Sequence, residues 1–217
     1  MSDCKGLART MANYALSLLI ALFVALAAGD LRAADAAADP AARRIELFYA
    51  ALIDTMKNGR ELGVQGRYRQ LTPAAEDTFD LGGMARLTVG PAWSTMSETD
   101  QKAVTDAFGR LTFSNYAKNF ASFGGQQFVV DPMVKMRNED KIVESKLVRP
   151  SRSAVPFNYR MHLVGDKWKV IDVYLNGYVS QVALRRADFS STVASSGAAG
   201  LVKKIDEIVD KQMADAG

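Results

Sequence analysis

The longest alternating segment of the chain, SAVPFNYRMHLV at 153–164, is the feature that most limits the possible folds. Apolar side chains occupy every second position from Val155 to Leu163, a period that matches a β-strand with one buried face. Gly165-Asp166 follow and join this segment to KWKVIDVYL at 167–175, as a two-residue hairpin turn would. The sequence therefore predicts an antiparallel sheet in this half of the chain.

Three further strand-like segments precede this hairpin: QQFVVD, MVKMR and KIVESKLVR. Pro156 belongs at a strand end or a sheet edge, because proline cannot donate to a ladder. Helical spacing dominates elsewhere, with Ser97 as an N-cap for the clearest helix and a stop at Gly124-Gly125. The other predicted helices are Ala41–Lys57 ending at a left-handed Asn58-Gly59, Val64–Leu71 stopping at Thr72-Pro73, a restart over Ala74–Phe79, Tyr178–Val193 and Ala198–Met213. This order of elements predicts one α+β domain with helices packed on an antiparallel sheet.

Residues 1–36 are predicted to be a secretory signal peptide. Lys5 and Arg9 precede the uninterrupted apolar run ALSLLIALFVALAA, and small residues suited to cleavage follow. A permanent membrane anchor is the alternative, but this run is shorter than the roughly 20 residues that span a bilayer. We therefore expect residues 37–217 to form a single secreted domain.

Scarce reactive side chains limit the possible chemistry. Cys4 is the only cysteine and lies in the predicted signal peptide, so thiolate metal sites, disulfides and cysteine nucleophiles are excluded from the mature chain. His162 is the only histidine, which excludes a multi-histidine metal site. The net charge of +3 gives no reason to expect nucleic acid as a partner. We expect no cofactor and no metal.

The segment FDLGGMARLTVGPAW at 79–93 contains three glycines but lacks the lysine of a phosphate-binding loop. Its apolar residues have helical spacing behind Asp80 as a cap, and Gly90-Pro91 form a stop. We interpret it as a short helix that forms the wall of a cavity. Gly82 and Gly83 are expected to allow close approach, with room for a bulky ring system as one hypothesis.

This segment, together with DQKAVTDAFGRLTFSNYAKNFASF and DKWKVIDVYLNGYVSQVALRRADF, resembles the MlaC, or toluene-tolerance, family of periplasmic lipid-binding proteins. Asn176-Gly177, Ser180, Arg185-Arg186 and Phe189 most resemble the branch associated with hopanoid biosynthesis. The resemblance implies a carrier that holds acyl chains of a phospholipid or hopanoid-type lipid between a curved sheet and helices. It implies as partners an inner-membrane ABC transporter, its membrane-tethered lipid-binding subunit and an outer-membrane lipoprotein complex.

A lipid carrier must remove alkyl chains from water, at about 0.8 kcal/mol per buried CH₂, and so needs an apolar cavity. Large apolar side chains from the predicted helices and sheet are candidates to line it, with a closed core as the alternative for each. These candidates are Phe79, Met84, Leu87, Trp93, Phe108, Leu111, Tyr116, Phe120, Phe157, Tyr159, Met161, Trp168, Val170 and Tyr174.

Basic residues offer a second, weaker hypothesis. Contact with an anionic head group or an acidic partner surface is expected of some of them, with an ordinary solvated charge as the alternative. The candidates are Arg149, Arg152, Arg185, Arg186, Lys203 and Lys204.

Two functions compete with lipid carriage. One is an enzyme of the isomerase or hydratase type, with Asp172 and His162 as acid and base. Asp172 falls on the same predicted strand face as Val170, so a buried carboxylate there needs a partner, and an arginine is the expected one. The other is an adaptor that binds only protein and has a filled core. Carriage without catalysis is the interpretation we adopt.

Overall fold

The structure is a computed structural model, and it describes residues 39–214. The predicted signal peptide and Cys4 lie outside the described residues. Within them, no helix has the length and the apolar composition needed to cross a bilayer.

Five α-helices account for the helical part of the described chain. Side chains cap the first turns of two of them. Ser97, the predicted N-cap, accepts a hydrogen bond from the Asp100 N–H at 3.1 Å, and Asp39 accepts one from the Ala41 N–H at 2.9 Å. The last helix contains Gly197 at φ 66°, which marks the predicted junction between two C-terminal helices. The helices are α1 Pro40–Lys57, α2 Gly59–Thr78, α3 Leu81–Val89, α4 Glu98–Asn119 and α5 Gln181–Ala214, with a 3-10 turn at Gly90–Thr95.

The strands form one antiparallel sheet in the order β1-β4-β5-β3-β2, with β6 paired to β5 and β7 paired to β6. Val164 lies opposite Lys167, so the predicted two-residue hairpin turn is confirmed. Pro156 lies within β5 opposite Lys146 of β4, and pairing with β6 begins only at Phe157, so the proline has a paired strand on one side. The strands are β1 Gln127–Val130, β2 Lys135–Arg137, β3 Asp140–Val143, β4 Ser145–Arg149, β5 Arg152–Val164, β6 Lys167–Leu175 and β7 Val179–Ser180.

A β-bulge in β6 changes which side chains face the helices. Arg160 lies opposite Asp172, but the next residue of β5, Met161, lies opposite Val170. The extra residue, Ile171, reverses the alternation along β6, because directly opposed residues of an antiparallel pair share a face. Trp168 and Val170 therefore share a face with Val173 and Leu175, and not with Tyr174.

The core lies between the sheet and the helices that cover it. Phe48 and Leu52 of α1, Leu111 of α4 and Tyr159 and Met161 of β5 are each at most 1% exposed. The short α3 is held at the edge of the sheet, since the backbone of Phe79 pairs with that of Val170 before the helix begins. This arrangement confirms the predicted α+β class, with the helices on the sheet.

Some predicted helix boundaries are wrong. Asn58 has φ −100°, so no left-handed stop exists there. Gly59 instead permits close approach, since a Cβ there would lie 2.9 Å from the carbonyl carbon of Ala121. The second helix does not stop at Thr72-Pro73 but continues past the proline to Thr78.

Gly83 takes part in the N-cap of α3. Its N–H donates to Asp80 Oδ1 at 2.9 Å, and a Cβ at Gly83 would lie only 2.8 Å from Asp80 Cγ. At Gly82, by contrast, the nearest atom outside its chain neighbours would be 3.8 Å away. The hypothesis that these two glycines leave room for a ring system is thus wrong for Gly83, because the space is filled by the capping carboxylate.

The two glycines should therefore respond differently to alanine. Gly82→Ala should raise the free energy of unfolding by about 0.4–1 kcal/mol, since alanine restricts the unfolded chain. Gly83→Ala should give no such gain, because displacing the Asp80 cap costs about 1 kcal/mol. Urea denaturation of both variants measures the difference, and an equal gain at both positions would contradict this account of the cap.

Candidate functional site

A cavity of about 340 Å³ lies among α3, α4, the start of α5 and strands β5 and β6. This volume is at the lower end of the range for small-molecule sites. Most of the wall is apolar, and the polar groups come from α4 and α5. The apolar lining is Phe79, Met84, Phe108, Tyr116, Phe120, Phe157, Val173, Leu175 and Val182, and the polar lining is Thr112, Asn115, Asn119, Gln181 and Arg185.

Aromatic rings support one another along the apolar wall. Tyr116 packs edge-on against Phe48 of the core, with ring centroids 5.1 Å apart, and stacks on Phe120 at 5.8 Å. Phe48 also meets Phe79 edge-on at 5.2 Å. Such pairs are worth about 0.5–1.5 kcal/mol beyond the area they bury. The rings are therefore fixed by their neighbours and hold the wall in place.

Three tyrosine hydroxyls lie close together at this wall, those of Tyr49, Tyr159 and the cavity-lining Tyr116. The hydroxyl of Tyr49 lies 2.6 Å from Ser145 Oγ. The Tyr159 hydroxyl neighbours those of Tyr49 and Tyr116, but makes no full hydrogen bond within residues 39–214. Burial raises the pKa of Tyr49 to about 12, and it raises the pKa values of Tyr116 and Tyr159 as well. All three side chains are therefore neutral at physiological pH and form part of the core.

Asp172 connects the sheet to the start of α5. Its carboxylate is 5% exposed and accepts hydrogen bonds from the N–H of Val173 at 2.8 Å and of Val182 at 3.2 Å. It also accepts the Ser180 hydroxyl at 2.5 Å, and Ser180 Oγ in turn accepts the N–H of Ala183 at 2.9 Å. The expected arginine partner is thus wrong, because the N–H of Val173, the Ser180 hydroxyl and the Val182 N–H at the N-terminus of α5 satisfy the carboxylate.

His162 belongs to a separate polar pocket. Its Nδ1 lies 2.8 Å from Asp140 Oδ1, and Arg160 Nε donates to Asp140 Oδ2 at 2.6 Å. Burial of Asp140 works against ionisation, but the hydrogen bonds from His162 and Arg160 keep the pKa of its carboxyl below the usual value. Neither His162 nor Asp172 lines the apolar cavity. The structure therefore does not bring the proposed acid and base together at that cavity.

The structure brings six of the candidate lining residues to the cavity and places the others elsewhere. The lining candidates are Phe79, Met84, Phe108, Tyr116, Phe120 and Phe157. Four candidates are fully buried in the closed core: Leu111, Tyr159, Met161 and Val170. The remaining four are half-buried and lie away from the cavity: Leu87, Trp93, Trp168 and Tyr174.

Tyr174 and Trp168 show why these predictions failed. The bulge at Ile171 gives Val173 and Leu175, not Tyr174, the positions opposite Tyr159 and Phe157. Trp168 lies under the ammonium group of Lys141, 4.5 Å from its ring centroid. Neither effect can be derived from the local spacing of β6, since a bulge depends on the partner strand.

Sequence reasoning also missed part of the lining. Thr112, Asn115 and Asn119 lie on the face of α4 that carries Phe108 and Tyr116. Their helical spacing places them on the same face as the apolar residues, but polar side chains on that face were not predicted to line a cavity. Gln181, Val182, Val173 and Leu175 depend on the start of α5 and on the bulge, and no sequence signal identified them.

Of the four arginines proposed to meet a head group or partner, only Arg185 lines the cavity. Arg149 and Arg152 lie opposite each other at the β4–β5 connection. Arg186 is exposed, and its guanidinium packs over Gly90, where an added Cβ would lie 3.3 Å from its Nη2. Lys203 and Lys204 lie on the C-terminal part of α5, where each pairs with a carboxylate of the same helix.

No group of three or more histidine, cysteine, aspartate or glutamate side chains within residues 39–214 is arranged to hold a metal ion.

Comparison with known proteins decides the family. The family model described as MlaC protein matches residues 48–207. The chain belongs to the MlaC family. Among curated protein sequences, none matches this chain.

A solved structure shares the fold. It is described as the phospholipid-binding protein from Ralstonia solanacearum in complex with a phospholipid. The match has a TM-score of 0.70 and 19% sequence identity, and covers 80% of this chain and 99% of that one. At this identity the likeness shows that the two proteins share a fold, and it does not identify the ligand of this MlaC-family chain.

The hydrogen bonds of Asp172 predict a large loss of stability on its removal. Asp172→Ala should lower the free energy of unfolding by about 3 kcal/mol, because hydrogen bonds to a charged group contribute about 1.5–3 kcal/mol each. Asp188→Ala is the control, since this exposed carboxylate of α5 pairs only with Lys204 and such pairs contribute about 0–1 kcal/mol. Equal losses in urea denaturation would contradict the anchoring role of Asp172.

The raised pKa of Tyr49 predicts how the free energy of unfolding changes at alkaline pH. Its pKa is about 12 in the folded chain and about 10 when unfolded. Between these values only the unfolded chain ionises, so stability falls as pH rises, by up to about 1.4 kcal/mol per pH unit for each such group. Tyr49→Phe should lower stability at pH 8 but flatten the decline from pH 10 to 12. Urea denaturation at each pH gives the free energy of unfolding. An equally steep decline in the variant and the wild type would contradict this role of Tyr49.

Proposed function

We propose that this chain is a periplasmic lipid carrier that holds acyl chains in the cavity between its sheet and its helices. The observation that carries the proposal is the apolar cavity itself, walled by Phe79, Phe108, Phe120 and Phe157. Membership of the MlaC family supports it, as does the fold shared with a protein described as binding phospholipid.

Energetics favour an occupant for this cavity. The cavity is open to solvent on part of its surface and most of its wall is apolar, so without a ligand its apolar side chains face water, which is unfavourable. An alkyl chain placed there would regain contacts with the wall and gain about 0.8 kcal/mol per CH₂ removed from water. A ligand with an acyl chain would provide both the contacts with the wall and the burial of CH₂ groups.

The proposed transport role follows from the family resemblance. A carrier of this kind would receive or deliver lipid at an inner-membrane ABC transporter with its membrane-tethered subunit, and at an outer-membrane lipoprotein complex. We propose a phospholipid as the cargo and keep a hopanoid-type lipid as the alternative. The residues that resemble the hopanoid-associated branch build the turn before α5 and its first turns: Asn176, Gly177, Ser180, Arg185, Arg186 and Phe189.

A variant that fills the cavity tests the proposal. Thr112 lines the cavity from α4, so Thr112→Trp should occupy the space of an acyl chain and lower lipid loading by about tenfold or more, equivalent to about 1.4 kcal/mol. Thr99→Trp is the matched control, because Thr99 is exposed at the start of the same helix. Loading is measured by native mass spectrometry after incubation with phospholipid vesicles.

Thermal melting of both variants separates cavity filling from unfolding. A folded Thr112→Trp protein that loads as much lipid as the Thr99→Trp protein would show that this cavity is not the lipid site.

A further inference from the structure

The cavity contains one charged side chain. Arg185, from the second turn of α5, lines the cavity together with the amides of Asn115, Asn119 and Gln181. No aspartate or glutamate is among the residues described as lining it. The cavity is therefore apolar along most of its wall and positively charged where α5 meets α4.

The Arg185 guanidinium makes no hydrogen bond or ion pair with any group in residues 39–214. Two other part-buried cations of the described chain are paired with a carboxylate. Arg160 is bonded to Asp140 at 2.5 Å, and Lys141 is bonded to Asp39 at 2.6 Å. Burial lowers the pKa of Arg185, in keeping with its loss of water. A part-buried guanidinium without a partner is costly unless a ligand supplies one.

Asn115 offers a second donor. Its side-chain oxygen accepts a hydrogen bond from Gln212 Nε2 at 2.9 Å, which fixes the orientation of the amide. Its Nδ2 group has no acceptor within the described residues. By contrast, Asn119 Nδ2 donates to the Asn115 carbonyl at 2.8 Å, and Gln181 Nε2 donates to the Val179 carbonyl at 3.2 Å. Among these four side chains, the Arg185 guanidinium and the Asn115 Nδ2 group are thus the donor groups that make no hydrogen bond within the described residues.

We propose that Arg185, with Asn115 as a second donor, binds the phosphate group of the carried lipid and makes the cavity selective for lipids with an anionic group next to the acyl chains. A planar guanidinium matches a phosphate through two parallel hydrogen bonds, which an uncharged head group does not offer. The inference rests on the proposed function, since it assigns the polar end of the same cavity.

Competitive loading tests the selectivity. The full mature chain is incubated with vesicles that contain phosphatidylglycerol and diacylglycerol with the same acyl chains, and native mass spectrometry gives the ratio of the two bound lipids. The wild type should prefer the phospholipid, and Arg185→Gln should reduce that preference by about tenfold or more while diacylglycerol still loads. Arg185→Lys should restore part of the preference, because it keeps the charge without the fork.

Arg186→Gln is the matched control. Arg186 is the next residue, is exposed and does not line the cavity, so its removal should leave the ratio unchanged. Arg185→Gln should melt at or above the wild-type temperature, because the side chain has no bond to lose in the described part of the chain and burial of its unpaired charge is unfavourable. A parallel arm with a free fatty acid shows whether a carboxylate is the preferred partner instead of a phosphate.

The possible results separate the two proposals. An unchanged ratio in Arg185→Gln would overturn the role of Arg185 and leave lipid carriage standing. Sensitivity of only the fatty acid arm to Arg185→Gln would overturn the assignment to phosphate. A wild-type protein that loads none of these lipids would contradict the proposed function and this inference together.

Discussion

The carboxylate of Asp172 is the link between the two layers of this protein. It is buried in the sheet and accepts hydrogen bonds from the N–H of Val182 and the hydroxyl of Ser180 at the start of α5. A negative group at this position is favourable, because the first N–H groups of a helix have no partner within it. The first turns of α5 supply Val182 and Arg185 to the cavity, so both its apolar closure and its charge depend on this contact.

The cavity persists because its walls are supported from behind. Tyr116 and Phe79 each pack against the ring of Phe48, which is 1% exposed. Collapse of the wall into the cavity would break these edge-to-face contacts, which contribute about 0.5–1.5 kcal/mol each beyond the area they bury. A rigid apolar space with one charged side chain suits a ligand with an alkyl chain and an acidic group.

The sequence predicted the larger elements of this fold but not the details that depend on distant partners. The hairpin at Gly165-Asp166 and the cap at Ser97 were predictable because both are local: a turn and an N-cap are set by a few neighbouring residues. The bulge at Ile171 was not, since it is defined by the register against β5. It moved Tyr174 away from the lining and brought Leu175 into it.

Predictions based on burial were also wrong where they depended on contacts that the sequence does not reveal. Asp172 was predicted to share the strand face of Val170, but the bulge places it opposite Arg160. Its partners are the N–H of Val173 and, at the start of α5, the Ser180 hydroxyl and the Val182 N–H. Leu111 and Met161 were candidates for the lining because they are apolar, yet they are buried in the closed core. Apolar spacing identifies the side of an element that faces inward, and it does not distinguish a filled interior from a cavity.

The central claim is that the cavity holds a lipid in the protein as the cell makes it. Native mass spectrometry of the protein purified from its membrane-containing source, before and after solvent extraction, tests this most directly. The account predicts about one lipid molecule per chain, released by extraction and identifiable as a phospholipid or a hopanoid-type lipid. A folded protein of bare polypeptide mass that also takes up no lipid from vesicles would contradict the account.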